Sequence, residues 1–115
     1  MDAPADAEVR NRKPTMQYRR FGRGGPWLSV ITLGGMRYVH GWDKPRDVVP
    51  DDTLEQCARM TRAALDAGIN HIETAYGYGK SEHAYGRVLN DILRVPRDSY
   101  HLMTKGNPAT AAEAR

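Results

Sequence analysis

Four side chains stand where short apolar runs give way to loops, and their types suit proton transfer. Glu73 closes the run Ile69-Asn70-His71-Ile72-Glu73. Tyr76 and Tyr78 follow in a glycine-rich stretch, and Lys105 follows Tyr100-His101-Leu102-Met103-Thr104. A phenol gives up its proton when its pKa is brought down from about 10. An ammonium beside it does this by favouring the phenolate. A carboxylate next to the ammonium keeps it charged and oriented. Such a set acts as a general acid on an oxygen that gains negative charge, as in reduction of a carbonyl. That reaction also needs a hydride, which no side chain supplies, so the reading brings a cofactor with it. Spacing does not choose between Tyr76 and Tyr78.

The elements that must position these groups alternate along the chain. Tyr18 to Phe21 reads as a short strand, and Trp27 to Val30 as its hairpin partner across the turn residues Gly22, Gly24, Gly25 and Pro26. Val30-Ile31-Thr32-Leu33, stopped by Gly34-Gly35, has the pattern of a buried parallel strand. Arg37 to Pro50 is a long loop, and its His40 and Trp42 are candidates to line a substrate opening. Asp52-Thr53-Leu54-Glu55 has the spacing of a capping box. Leu54, Cys57, Ala58, Thr61, Ala64 and Leu65 then recur on one helical face, and Gly68 stops that helix in a left-handed cap. Ser81 is expected to cap a second helix running to about Leu93, with Ala84, Tyr85, Val88, Leu89 and Ile92 on its apolar face. Ala109 to Arg115 reads as the first turn of a third helix, and Met1 to Thr15 as a disordered leader.

Strands alternating with helices mean βαβ units around a parallel sheet. Three parallel strands alone leave two unpaired edges, so they read as the beginning of a larger sheet. In a (β/α)8 barrel, reactive residues sit where strands run into the loops before helices. Gly34-Gly35-Met36, the Glu73 to Tyr78 stretch and Lys105 all occupy such positions.

Net charge is +3, and the basic residues are scattered rather than interleaved with aromatics, which argues against nucleic-acid binding. No apolar run approaches the ~20 residues that span a bilayer, and the N-terminus lacks a hydrophobic signal core. A cytoplasmic protein is the expectation. The single cysteine, Cys57, excludes an internal disulfide and reads as a small core residue. No spacing of His, Cys or carboxylates suggests a metal site. His71 and His101 read as packed strand residues and His83 as an exposed helix residue.

Several of these segments carry a resemblance. Asp66-Ala67-Gly68-Ile69-Asn70-His71-Ile72-Glu73-Thr74-Ala75-Tyr76-Gly77-Tyr78-Gly79-Lys80-Ser81-Glu82 is similar to the motif that surrounds the acidic residue and the tyrosine of the aldo-keto reductases. Met16 to Phe21 and Val30 to Met36 resemble that family's opening, and Thr104-Lys105 resembles the end of its third strand. The resemblance spans about Met16 to Lys105. It implies an α/β fold, namely the capping hairpin and first three βα units of a (β/α)8 TIM barrel over residues 16–115. It implies reduction of aldehydes or ketones by NADPH, with NADH as the alternative, on a small-molecule carbonyl substrate. Tyr78 is then the acid, Lys105 its partner, and Glu73 stands in place of the family's aspartate. Gly35, Met36 and Glu73 fall at positions near the nicotinamide end of the cofactor. The extra methylene of Glu73 moves its carboxylate by roughly 1.5 Å and puts the ion-pair geometry in question. The wording around Glu73 also resembles a branch with a C-terminal iron–sulfur segment, whose cysteines would lie beyond residue 115. Two other expectations compete: a regulatory or binding protein that keeps the fold without turnover, and a truncated, inactive fragment.

Overall fold

The structure is a computed structural model, and it describes residues 8–114. β1 (Tyr18–Arg20) and β2 (Trp27–Ser29) pair antiparallel, with Tyr18 opposite Ser29 and Arg20 opposite Trp27. β3 (Leu33–Gly34), β4 (His71–Glu73) and β5 (His101–Met103) form a parallel sheet in chain order. α1 (Asp51–Asp66) links β3 to β4. α2 (Ser81–Arg87) follows β4 and runs on into a wider π-type turn, Val88–Ile92.

Leu33 and Ile72 from the sheet pack with Leu54, Cys57 and Ala64 of α1 and Ala84 and Tyr85 of α2. Burying a side chain such as Ile72 contributes about 1.5–3 kcal/mol. Side chains alternate across a strand. Ile72 is fully buried, while His71 and Glu73, on the opposite face, are half-buried. This alternation, set by one apolar residue between two polar ones, keeps Glu73 out of the core.

The hairpin is tied to the sheet by one buried side chain. Asn70 Oδ1 accepts from the Ser29 N–H at 2.8 Å, and Asn70 Nδ2 donates to the carbonyls of Arg10 (2.9 Å) and Trp27 (3.1 Å). The Tyr18 hydroxyl donates to the Gly68 carbonyl at 2.8 Å. Gly68 has φ +94 and closes α1 as expected. A Cβ there would stand 2.8 Å from the Tyr18 hydroxyl oxygen.

Local expectations fail where a tertiary partner takes the residue. Val30 and Ile31 are more than half exposed and lie outside β3, because Val30 N–H extends the hairpin ladder to the Gln17 carbonyl at 2.9 Å. Asp52 is not a cap. α1 already starts at Asp51 after Pro50, and the Asp52 carboxylate accepts from Thr53 N–H at 2.9 Å and pairs with His40 Nε2 at 3.1 Å. Ser81 is the first helical residue rather than the cap, and its Oγ accepts from Thr74 Oγ1 at 2.7 Å. The π-type turn adds a residue per loop of backbone, which rotates Ile92 off the apolar face and leaves it 46% exposed. Residues 110–114 do make a single helical turn, as expected: Ala114 N–H donates to the Thr110 carbonyl at 3.3 Å and Glu113 N–H to Thr110 Oγ1 at 3.2 Å.

The disordered-leader expectation fails over residues 8–15. Val9 is buried with Tyr18 and Trp27, and the Asn11 amide donates to the carbonyls of Leu65 (2.8 Å) and Ile69 (3.0 Å). The polar side chains here satisfy helix-end carbonyls instead of water, which composition does not show. Residues 1–7 lie outside the described residues.

Candidate active site

Three loops meet at the C-terminal ends of β3, β4 and β5. The register sets Glu73 beside Gly34 on one side and Met103 on the other. Beyond the last paired residues the backbone keeps the loops together: Thr74 N–H donates to the Met103 carbonyl and Tyr76 N–H to the Lys105 carbonyl, each at 2.8 Å. Lys105, from the loop after β5, is thereby laid against the loop after β4.

The structure brings Glu73, Tyr78 and Lys105 onto a single atom. The Tyr78 hydroxyl donates to Glu73 Oε2 at 2.7 Å, and the Lys105 ammonium donates to the same oxygen. Lys105 Nζ also donates to the Thr74 carbonyl at 3.0 Å and lies 5.0 Å from the centre of the Tyr78 ring. The longer glutamate therefore keeps its ion pair and reaches the phenol as well.

Burial pushes the Glu73 carboxyl up. The hydrogen bonds from Lys105 and Tyr78, the Lys105 charge and the Gly35 N–H outweigh it and hold the group below the usual carboxylate range. The hydrogen bond to Glu73 in turn lifts Lys105 above the ordinary lysine range, against a smaller desolvation effect. At neutral pH the site holds one carboxylate and one ammonium. The ammonium is 45% exposed and the carboxylate 19% exposed, so Lys105 fronts the solvent and Glu73 backs it.

Tyr76 is 61% exposed and does not join the set, so the two tyrosines separate by position. Gly35 and Met36 also separate. A Cβ on Gly35 would meet Ser81 Oγ at 2.4 Å and a Tyr85 ring carbon at 2.6 Å, so close packing against α2 explains that glycine. Met36, two residues past the Gly34 that pairs with Glu73, is 42% exposed. His40 braces its loop, with Nδ1 3.1 Å from Asp43 and Nε2 3.1 Å from Asp52, while Trp42 stays exposed. Tyr38 lies in the same loop, but its side chain is buried in the core.

His71 lies two residues below Glu73 on the same strand face, with its Nδ1 3.2 Å from Thr32 Oγ1. Burial lowers its pKa, Glu73 opposes this and Lys105 adds to it. His101, its register partner on β5, has a buried Nε2 with no hydrogen-bond partner among the described residues and is likewise lowered, mainly by burial. His83 is exposed as expected. Among the described residues no three His, Cys, Asp or Glu gather as a metal site, and no helix is long and apolar enough to cross a membrane.

Sequence reading missed two cations. Lys80 is 2% exposed, and its ammonium donates to the carbonyls of Pro45 and Val48. Arg46 stacks on the Tyr76 ring, 3.7 Å from its centre, and donates to the carbonyls of Tyr76 and Gly79. A lysine at a helix start and an arginine in a polar loop both read as solvated, and nothing in their neighbours signals otherwise.

Comparison with known proteins gives the family. The family model described as "Aldo/keto reductase family" matches residues 30–115, more than half of the chain. The chain is 34% identical over 80 residues to D-arabinose 1-dehydrogenase of Saccharomyces cerevisiae, covering 68% of this chain and 22% of that protein. It is 32% identical over 94 residues to L-glyceraldehyde 3-phosphate reductase of Escherichia coli, covering 78% of this chain and 25% of that protein. The crystal structure of a Pseudomonas aeruginosa protein classed with the aldo-keto reductases superposes with a TM-score of 0.61 at 31% identity, over 78% of this chain and 33% of that one. The chain thus spans about a quarter of the curated relatives it matches. With the motif, the parallel βα units and the comparisons in agreement, this chain belongs to the aldo-keto reductase family.

Proposed function

We propose that the protein reduces an aldehyde or ketone to an alcohol, with Tyr78 as the proton donor and with NADPH favoured over NADH. The observation that carries this reading is the convergence of the Tyr78 hydroxyl and the Lys105 ammonium on one oxygen of Glu73. In the same reading β3 to β5 with their helices form the first arc of a (β/α)8 barrel, and the β1–β2 hairpin closes its base.

The nicotinamide, when bound, supplies the hydride to the carbonyl carbon. The residues present fit that partner: Met36 is exposed two residues past Gly34, whose register partner is Glu73. Met36 and Glu73 would flank it. As the carbonyl oxygen gains charge it becomes a far stronger base than a carboxylate. It therefore draws the Tyr78 proton away from Glu73 Oε2, where the hydroxyl otherwise donates. The phenolate left behind sits beside the Lys105 ammonium, which Glu73 and the Thr74 carbonyl hold in place. General-acid help of this kind contributes about 10²–10⁴-fold in rate.

The test is consumption of NADPH and NADH by the purified protein against a panel of small aldehydes and ketones, run alongside Tyr78→Phe. Turnover with at least one carbonyl, lost in the variant, is the expected result. A protein that oxidises neither cofactor with any carbonyl, or a variant as fast as the parent, would remove the assignment.

A further inference from the structure

The loop that carries Tyr78 has no secondary structure of its own, yet an acid must hold its place to within fractions of an ångström. Its backbone turns on itself by Tyr78 N–H to the Ala75 carbonyl (3.0 Å), and is tied to α2 by Ser81 N–H to the Tyr78 carbonyl (3.2 Å). Besides its ties to Lys105, the loop is held by the long loop after β3. Lys80 N–H donates to the Gly41 carbonyl at 2.7 Å, and Lys80 Nζ to the carbonyls of Pro45 and, at 2.6 Å, Val48. From the other side Arg46 stacks flat on Tyr76 and donates to the carbonyls of Tyr76 and, at 3.1 Å, Gly79. Each loop thus puts one cation into the carbonyls of the other, and Tyr78 lies between the two carbonyls that Arg46 grips. Gly79 permits the contact: it has φ +63, and a Cβ there would stand 2.1 Å from the Gly41 carbonyl oxygen.

We propose that Arg46 and Lys80 are positioning residues, a reciprocal clamp that holds the Tyr78 hydroxyl on the Glu73–Lys105 pair. Among the described residues neither cation has a carboxylate partner; both are spent on backbone oxygens. A charge-assisted hydrogen bond to a carbonyl is about twice as strong as a neutral one. Two cations spent on carbonyls that join the loop carrying Tyr78 to the loop after β3 point to a demand for geometry. The proposal rests on the reading of Tyr78 as the acid, while the clamp itself is measurable without it.

The experiment uses the intact protein with Arg46→Ala, which removes a half-buried side chain and leaves the core alone. Amide hydrogen exchange is followed at Tyr78, Lys80 and Ser81, with Ile72 of β4 as the internal reference. Exchange at the loop amides is expected to quicken about tenfold or more, with Ile72 unchanged, as local opening is made easier. Carbonyl turnover is expected to fall by about 10–100-fold, the scale of an ångström misplacement, with KM for the cofactor nearly unchanged. Arg46→Lys, which cannot stack and reach both carbonyls, should restore little of either. Unchanged loop exchange in Arg46→Ala overturns the clamp. Faster exchange with parental turnover, in a protein that Tyr78→Phe inactivates, overturns the positioning role and leaves only a structural tie. If Tyr78→Phe is itself fully active, the reductase reading falls and the positioning role falls with it, while the exchange data still decide the clamp.

Discussion

Tyr78 and the pair Tyr38–Tyr85 are the same residue type in opposite surroundings. The Tyr38 and Tyr85 hydroxyls lie 2.8 Å apart, their rings meet edge to face at 5.7 Å, and both side chains are buried. Burial first, then neighbouring ionisable groups, push both phenols far above their ordinary range, and burial pushes the nearby Cys57 thiol up to about 11. These groups stay neutral at any ordinary pH and serve packing. Tyr78 instead rests on a carboxylate oxygen with an ammonium against its ring. The contrast shows that a phenol becomes a candidate acid through the carboxylate and ammonium set beside it, and that the fold keeps Tyr38 and Tyr85 inert by burying them without such a pair.

The strongest way to break that contrast is to remove one hydroxyl from each place. Tyr78→Phe should lower turnover by about 10²–10⁴-fold with little change in the thermal midpoint. Tyr85→Phe should do the reverse. It leaves the Tyr38 hydroxyl without its partner in the core, at a cost of about 1–3 kcal/mol, and keeps turnover near that of the parent. Equal loss of turnover in both would erase the distinction between rim and core.

A second contrast sets the rim against the hairpin end. The rim is held by charges open to water, the base by the buried amide of Asn70. Asn70→Ala strands the Ser29 N–H and two carbonyls, and should cost about 3 kcal/mol in denaturant unfolding, since buried groups lose their partners outright. A loss below about 0.5 kcal/mol would mean that water replaces the amide there. The adjacent glycines sharpen the point further. Gly35→Ala should cost about 1–3 kcal/mol by overpacking against Ser81 and Tyr85. A Cβ on Gly34 meets only Glu73 Oε1, at 3.6 Å, so Gly34→Ala should change stability by less than about 0.5 kcal/mol.

The same division explains what the sequence could reveal. The face Leu54, Cys57, Thr61, Ala64 and Leu65 was legible because helical periodicity and burial are one constraint. The parallel order of β3, β4 and β5 was legible because strands alternate with helices. Glu73, Tyr78 and Lys105 were picked out by motif resemblance, and the backbone pairing of Tyr76 with Lys105 explains why two distant segments meet. Contacts across long separations left no local trace. Asp52, Ser81 and Val30 each had the right residue for a local role and were taken by His40, Thr74 and Gln17 instead. Arg46, Lys80 and Asn70 bind backbone carbonyls, and a carbonyl has no residue type for a sequence to display.

The gentlest test is pH, and it addresses the rim alone. Glu73 is depressed when folded, so its contribution to stability is present above the ordinary carboxylate range and is lost as pH falls through its folded value. Lys105 is raised when folded, so its contribution is present below the ordinary lysine range and is lost as pH rises through its folded value. Between those limits lies a plateau across neutral pH. Half-exposed ion pairs are screened and weak, so the two shoulders should be shallow and should flatten further in high salt. Glu73→Gln keeps the shape but not the charge. It should erase the acid shoulder that Glu73 supplies and return Lys105 toward an ordinary lysine in a side-chain NMR titration. A Lys105 that titrates identically in parent and variant would show that the carboxylate does not govern the ammonium, and would leave the ammonium to the Thr74 carbonyl.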